Sequence, residues 1–325
     1  MTVYGALDIG GTKIAGALLD PAGTTLMRTQ RPTPARRPAG ELMAAVSSVL
    51  DELAAHRAWG GLSRLGVACA GPVDAGEGTV SPVNIPAWRR FPLVDRIAEH
   101  PRLPDGVRPR LVGDALAMTA AEHWLGAARG VTTALCMVVS TGVGGGLVLG
   151  GSVHQGRTGN AGHIGHMSVD LDGPRCPCGG RGCVEGMASG TAITAHARAA
   201  GWAPPEGVAP DAAAVAAAAR AGDVRALAAY TRAGRALAAA IAATAALVEI
   251  ELVVVGGGVA RSGEVLLTPI RKHLATYAVL EFTRDIRVVP ARHALDAGLV
   301  GAAAAAAAPP DGPARPQTHE GHRPR

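Results

Sequence analysis

Three groups of residues in this 325-residue chain have the types and spacing to do chemistry. Asp8-Ile9-Gly10-Gly11-Thr12-Lys13 puts a carboxylate at a strand end, two glycines that let backbone approach a ligand, and a hydroxyl at the turn, an arrangement suited to phosphate. It is not a Walker loop, because the G-x-x-x-x-G-K-[ST] spacing is absent and strand-like residues follow it. A second tip, Thr141-Gly142-Val143-Gly144-Gly145-Gly146, repeats the pattern. A plain hairpin turn is the alternative for the first tip alone, which by itself already favours a phosphate site; the second tip strengthens that reading, as two loops facing one polyphosphate. The third group is Gly162-His163-Ile164-Gly165-His166 followed by Cys176, Cys178 and Cys183, with Glu185 just beyond. One imidazole and three thiolates suit tetrahedral Zn²⁺ with no open position for a catalytic water, hence a structural ion. Gly179, Gly180 and Gly182 let the chain wrap closely around it. A reactive thiol cluster without metal is the alternative.

These groups need elements to hold them. The first tip lies between apolar runs in Ala6–Leu19, ALDIGGTKIAGALL, and the second in Ala134–Leu149, ALCMVVSTGVGGGLVL, which reads as an internal duplication of a β-hairpin. Between them the pattern predicts a helix over Gly40–His56, a strand at Leu65–Cys69, a Gly/Pro-rich loop over Gly71–Trp88, and a strand at Arg110–Val112 leading into a helix after Asp114. After the cysteines, helix is expected from Ser189 to Ala246 with a break at Gly201–Pro210. A strand at Leu252–Val255, the run Gly256–Gly258 and a last helix near Gly298–Ala308 follow. The alternation is that of an α/β protein.

Composition narrows the class. With 48% hydrophobic but only 3% aromatic residues, the cores must be built from Val, Leu, Ile and Ala. The net charge is +5, all but two of the cationic side chains are arginines (Lys13 and Lys272 are the exceptions), and they are scattered, which argues against a nucleic-acid partner. No signal-peptide pattern precedes the first motif, so a cytoplasmic protein is expected. Ala236–Val248 reads as a buried helix leading into a strand rather than a membrane span. Cys69 and Cys136 sit in apolar runs and are expected in the core.

In order, DIGGTK, the second glycine-rich loop, the G-x-x-G-H element, the C-x-C-G-x-x-G-C-x-E knuckle and GGGVA resemble the ROK family (repressors, open reading frames and kinases) over nearly the whole chain. The resemblance implies an actin-like ATPase (ribonuclease H-like) fold, two α/β domains flanking a cleft, with a zinc knuckle. Residues 1–117 would form a small N-terminal domain on which the helix at about 298–308 packs back, residues 118–297 a large domain with the zinc site, and residues 309–325 a disordered tail. It also implies an ATP-dependent sugar kinase, as a homodimer. Gly10, Gly11, Thr12 and Lys13 resemble the first phosphate loop, Thr141, Gly142 and Gly144 the second, and Gly256, Gly257 and Gly258 the adenosine-side turn. Asp8 would position Mg²⁺ through water. Asp114 resembles the catalytic base that takes the proton of the sugar 6-hydroxyl; a helix N-cap is the plainer reading of that aspartate. His166, with Cys176, Cys178 and Cys183, would ligate zinc and also touch the sugar, which Glu185 would reach through its hydroxyls. Asn84 is expected at the pocket, and Trp88 either there or packed in the core.

Two departures bear on the substrate. Glucose-type members read E-x-G-H and N-D, where this chain has His163 and Gly113. Both replaced groups bind ring hydroxyls, so the change should move preference among sugars. An amino- or ring-modified glucose is expected, with the kanosamine kinases of antibiotic pathways as the family precedent; ordinary glucose or an N-acyl-hexosamine is the alternative. A repressor of the family would need a helix-turn-helix domain ahead of Asp8, for which there is no room. A non-catalytic sugar-binding protein is disfavoured by the retention of Asp8, both loops and Asp114.

Overall fold

The computed structural model describes residues 1–293 and 296–308. The expected tail, 309–325, lies outside the described residues. The first half runs β1 (Val3–Ile9), β2 (Lys13–Leu19), β3 (Thr25–Pro32), α1 (Ala39–Ala55), β4 (Leu62–Cys69), β5 (Val73–Asp74), β6 (Thr79–Val80), α2 (Leu93–Ala98), β7 (Pro109–Gly113) and α3 (Asp114–Trp124). The second runs β8 (Ala134–Val139), β9 (Val143–Leu149), β10 (Ser152–His154), α4 (Glu185–Ala188), α5 (Gly190–Ala199), α6 (Ala212–Arg220), α7 (Val224–Val248), β11 (Leu252–Gly256), α8 (Glu264–Tyr277), β12 (Arg287–Pro290) and α9 (Ala297–Ala307).

Among the described residues the strands form two five-stranded sheets, ordered β3-β2-β1-β4-β7 and β10-β9-β8-β11-β12, plus the small ribbon β5-β6. Each large sheet has the same plan: an antiparallel hairpin (β1-β2, β8-β9) followed by parallel strands. The two glycine-rich tips are therefore equivalent points of a duplicated architecture, as their sequences imply.

Strand register decides which residues meet. Ile9 is level with Cys69, and Cys69 with Gly113, so β1, β4 and β7 end together and Asp8 and Asp114 emerge at one edge. In the second sheet Gly256 is level with Val138, which brings the turn after β11 beside the turn after β8. That edge is where parallel α/β sheets bind ligands.

Small residues bring α9 onto the first sheet. A side chain on Gly66 of β4 would strike the backbone of Ala302, and one on Gly301 would strike the backbone of Ala117 in α3. The fully buried Ala302 and Ala303 seal that layer with Leu299. The start of α9 is thereby delivered to Asp8.

Helix α7 is long and apolar enough to span a membrane by composition, yet half of its most apolar stretch is buried within the protein. It packs against α4, α5, α6 and α8, the behaviour of a core helix. Asp223 caps it by accepting from the N–H groups of Arg225 and Ala226.

Several elements carry weak sequence signals. β3 is an edge strand whose TLMRTQRP sequence leaves alternate residues exposed, and α8 contains Pro269, which disguises a helix. Pro269 instead fits over Gly234 of α7, where an added Cβ would come within 2.7 Å of the proline ring.

Candidate active site

The first glycine loop is pinned by backbone contacts. Gly10 N–H donates to the Lys13 carbonyl at 3.0 Å, Thr33 Oγ1 donates to the Gly10 carbonyl at 2.7 Å, and Thr33 N–H donates to Thr12 O at 2.9 Å. Asn84 lies directly over Gly11, where an added Cβ would sit 2.8 Å from the amide carbon. Thr12 and Lys13 are exposed at the tip.

Asp8 is strongly altered by its surroundings. Burial pushes its carboxyl up to about 6, the nearby Lys13 and Arg28 pull it down, and Asp114 and Asp296 add repulsion. A divalent cation would reverse that balance, so this carboxylate fits a cation-positioning role. Because the folded-state value lies above the ordinary 3.8, the ionised form costs the folded protein ~3 kcal/mol. The penalty is absent below pH 4 and complete above about pH 6. Asp8→Asn is therefore expected to be more stable than the parent at pH 7.5, with the advantage fading as pH falls through 6 toward 4. Denaturant unfolding across that range checks it.

Gly298, in the first turn of α9, abuts the Asp8 carboxylate, and a methyl group there would overlap it. In an ordinary helix Gly→Ala gains about 1 kcal/mol. Gly298→Ala is instead expected to displace Asp8 and raise the KM for magnesium-ATP at least several-fold, measured by steady-state kinetics.

The second loop and the third turn form one surface. Ser140 N–H donates to Gly142 O at 2.8 Å, Gly190 N–H donates to Ser140 O at 2.7 Å, and Thr191 Oγ1 donates to Thr141 O at 3.3 Å. Gly257 has φ +94° and lies against the Val139 backbone, while a Cβ on Gly258 would be 3.3 Å from Ser140 Oγ. A depression of about 510 Å³ opens here, bordered by Thr141, Thr191, Arg198, Gly258 and Arg261. Gly144 faces Ala115, 3.1 Å from an added Cβ, so this loop packs beside the start of α3.

Asp114 opens α3, with Gly113 as its extended N-cap (φ −67°, ψ 151°). Its Oδ1 accepts from Ala115 N–H at 2.7 Å. The carboxylate meets solvent but is ringed by protein, and this desolvation raises its pKa, against the lowering effect of the Ala115 hydrogen bond and of His163. His163 Nδ1 lies 3.2 Å from the Asn160 carbonyl, which can only accept, so Nδ1 carries the proton and Nε2 is the acceptor in the neutral ring. Its ring stacks on His166, centroids 5.9 Å apart.

A Cβ on Gly113 would meet nothing closer than Gly159 O at 3.8 Å and Val73 Cγ2 at 3.9 Å, ordinary contact distances. Gly113→Asn therefore fits sterically and adds a better cap. It should leave the melting temperature unchanged or slightly raised while moving sugar preference toward glucose, read as the ratio of kcat/KM values.

His166, Cys176, Cys178 and Cys183 offer ligand atoms all within 4.8 Å of one another. Cys178 and Cys183 sulfurs are 3.7 Å apart, and His166 Nδ1 is 4.0 Å from Cys176 Sγ. Tetrahedral zinc with Zn–S near 2.3 Å places sulfurs ~3.8 Å apart, so the donor set fits the ion. The knuckle is shaped by hydrogen bonds from Cys176 N–H to Gly180 O and from Gly179 N–H to Cys176 O, both 2.9 Å. Gly179 and Gly182 have positive φ, and a side chain on Gly182 would collide with Asp170.

Glu185 turns toward the second loop: Oε2 accepts from Val143 N–H at 2.9 Å and lies over Gly142. Trp88 is fully buried and stacks on Phe91 at 4.8 Å, a packing role. Sequence reasoning missed Gly298 and Asn160. The Asn160 side chain accepts from Val73 N–H at 3.3 Å and donates to Val73 O at 2.7 Å, tying the segment before His163 to the first half. Neither has a local signal, because each acts through a partner distant in sequence.

The duplicated halves with both glycine loops at one edge are those of the actin-like ATPase fold, shared with ROK sugar kinases of known structure. The ROK family model matches residues 4–308, and the chain belongs to that family. It is 33% identical to the glucokinase of Thermotoga maritima, over 91% of this chain and 95% of that protein. To the N-acetylmannosamine kinase of Escherichia coli O9:H4 (strain HS) it is 37% identical, over 92% and 96%. A crystal structure of a ROK family glucokinase from Streptomyces griseus in complex with glucose and AMPPNP superposes with a TM-score of 0.78 at 32% identity, covering 94% of this chain and 99% of that one.

Proposed function

We propose that this chain is an ATP-dependent sugar kinase that phosphorylates the 6-hydroxyl of a glucose-like hexose, with an amino- or ring-modified glucose such as kanosamine as the preferred substrate. The observation that carries the reading is the convergence of Asp8, Asp114 and the two glycine loops at one edge of the duplicated sheets. Phosphoryl transfer needs positioning and charge neutralisation more than covalent chemistry, and the two glycine-rich tips are the elements that would bring backbone to the phosphates. Mg²⁺ arriving with ATP would neutralise phosphate charge, and Asp8 would position it through water.

In this reading Asp114 accepts the proton of the sugar hydroxyl as that oxygen bonds to the γ-phosphorus and the bond to the ADP oxygen breaks. Its raised pKa makes it a stronger base than an exposed aspartate. His166 and the three cysteines would hold zinc, which would fix the loop that carries His163 and His166 rather than touch the transferred phosphate. The open space at Gly113 and the acceptor Nε2 of His163 favour a ring bearing an altered or donor substituent. An N-acyl-hexosamine is the second reading, favoured by the 37% identity to N-acetylmannosamine kinases. Comparing kcat/KM for kanosamine, glucose, glucosamine and N-acetylmannosamine tests the choice; preference for unmodified glucose would overturn it.

A further inference from the structure

The second glycine loop is held by a single stretch of chain, the residues that leave the cysteine knuckle. Glu185 Oε2 accepts from Val143 N–H at 2.9 Å, Gly190 N–H donates to Ser140 O at 2.7 Å, and Thr191 Oγ1 donates to Thr141 O at 3.3 Å. The same carboxylate oxygen fills the space over Gly142, where an added Cβ would be 2.6 Å from it. Glu185 is half-buried, and the contact with Val143 is the one hydrogen bond of its carboxylate among the described residues.

Val143 is gripped at its carbonyl as well. Gly165 lies so close that a side chain there would strike Val143 O, and Gly165 stands between His163 and His166. A Cβ on Gly162, in the same turn, would be 2.9 Å from Gly145 O. This turn and the knuckle are tied together, since Val184 N–H donates to Met167 O at 3.0 Å and Val169 N–H to Gly182 O at 2.9 Å. On its other side the loop meets the start of α3, where an added Cβ on Gly144 would be 3.1 Å from Ala115, the neighbour of Asp114. Backbone therefore packs on backbone, with no flexible side chain between the histidine turn and the loop to absorb a shift. Whatever orders the turn also orders Val143, and a ligand that meets a loop already ordered binds it more tightly.

We propose that Glu185 is a positioning residue that makes the histidine turn and the second glycine loop one unit, so that sugar bound at the turn tightens nucleotide binding through Val143. The proposal rests on the kinase reading above.

The test is calorimetric titration of magnesium with a non-hydrolysable ATP analogue, without sugar and with saturating amounts of the hexose that the parent binds most tightly. The coupling is the ratio of the two Kd values. In the parent, sugar should tighten the nucleotide about fivefold or more. In Glu185→Ala the ratio should fall below about twofold, and nucleotide affinity without sugar should weaken. Glu185→Gln, whose amide oxygen still accepts from Val143 N–H, should keep most of the parent ratio. Each ratio compares two affinities of one variant at sugar saturation, so a general loss of stability or a weaker sugar contact does not move it. A parent-like ratio in Glu185→Ala, or a ratio in Glu185→Gln as low as that of the alanine variant, would overturn the role of the Val143 contact. A parent that binds both ligands with a ratio near one would overturn the coupling and leave the kinase reading standing. A parent that binds no sugar or no nucleotide would overturn that reading, and this proposal with it.

Discussion

Asp114→Ala is expected to lose ~10²–10⁴-fold in kcat while keeping its affinity for magnesium-ATP within about threefold. The loss should be large because, among the described residues, the neighbouring carboxylates stand elsewhere: Asp8 is on β1, and Glu185 is engaged with Val143. Binding should survive because the glycine loops take their shape from Thr33, Ser140 and Gly190, none of which touches Asp114. Stability should change by no more than ~1 kcal/mol. The acidic residue in the first turn of α3 favours the helix, but its desolvation opposes that gain. A coupled ADP-release assay and a nucleotide titration on the same preparation give both numbers. Retained turnover would remove Asp114 from the base role.

Disruption of the Cys3His cluster, the proposed zinc site, is the second large effect expected. Cys183→Ser, or exhaustive chelation, should cost several kcal/mol and lower the melting temperature by roughly 10 °C. The sulfurs of Cys178 and Cys183 lie 3.7 Å apart with Cys183 buried, and without an ion the knuckle retains little beyond its glycine turns. Sugar affinity should fall with it, since His163 stacks on the ligand His166. Nucleotide affinity should also weaken, because Glu185, two residues past Cys183, holds the N–H of Val143 in the second loop. Calorimetry, metal analysis and separate sugar and nucleotide titrations check these outcomes. A metal-free protein with unchanged melting and sugar binding would exclude a structural zinc.

The parts legible in the sequence are those whose physics is local. Paired apolar runs around Gly10 and Gly142 announce hairpins, and Cys176, Cys178 and Cys183 share one glycine-rich knuckle, so spacing alone brings their sulfurs together. What the chain does not announce depends on approach between distant segments. Gly298 reads as an unremarkable helix residue until α9 is laid on Gly66 and meets Asp8. Asn160 reads as a loop residue until it pairs with Val73, 87 positions away. Edge strand β3 and the proline-bearing α8 are hidden for another reason: their local preferences oppose the elements they form, and packing overrides them.

The direct test of the central claim is ADP release from ATP and Mg²⁺ by zinc-replete protein against glucose, mannose, glucosamine, N-acetylglucosamine, N-acetylmannosamine and kanosamine, each set against a blank without sugar. The account predicts that one hexose stands well above the blank, with kanosamine first, and that Asp114→Ala abolishes the signal. A signal no higher than the blank for every sugar, in protein that binds both ATP and a sugar, would contradict it and leave a sugar-binding protein without turnover.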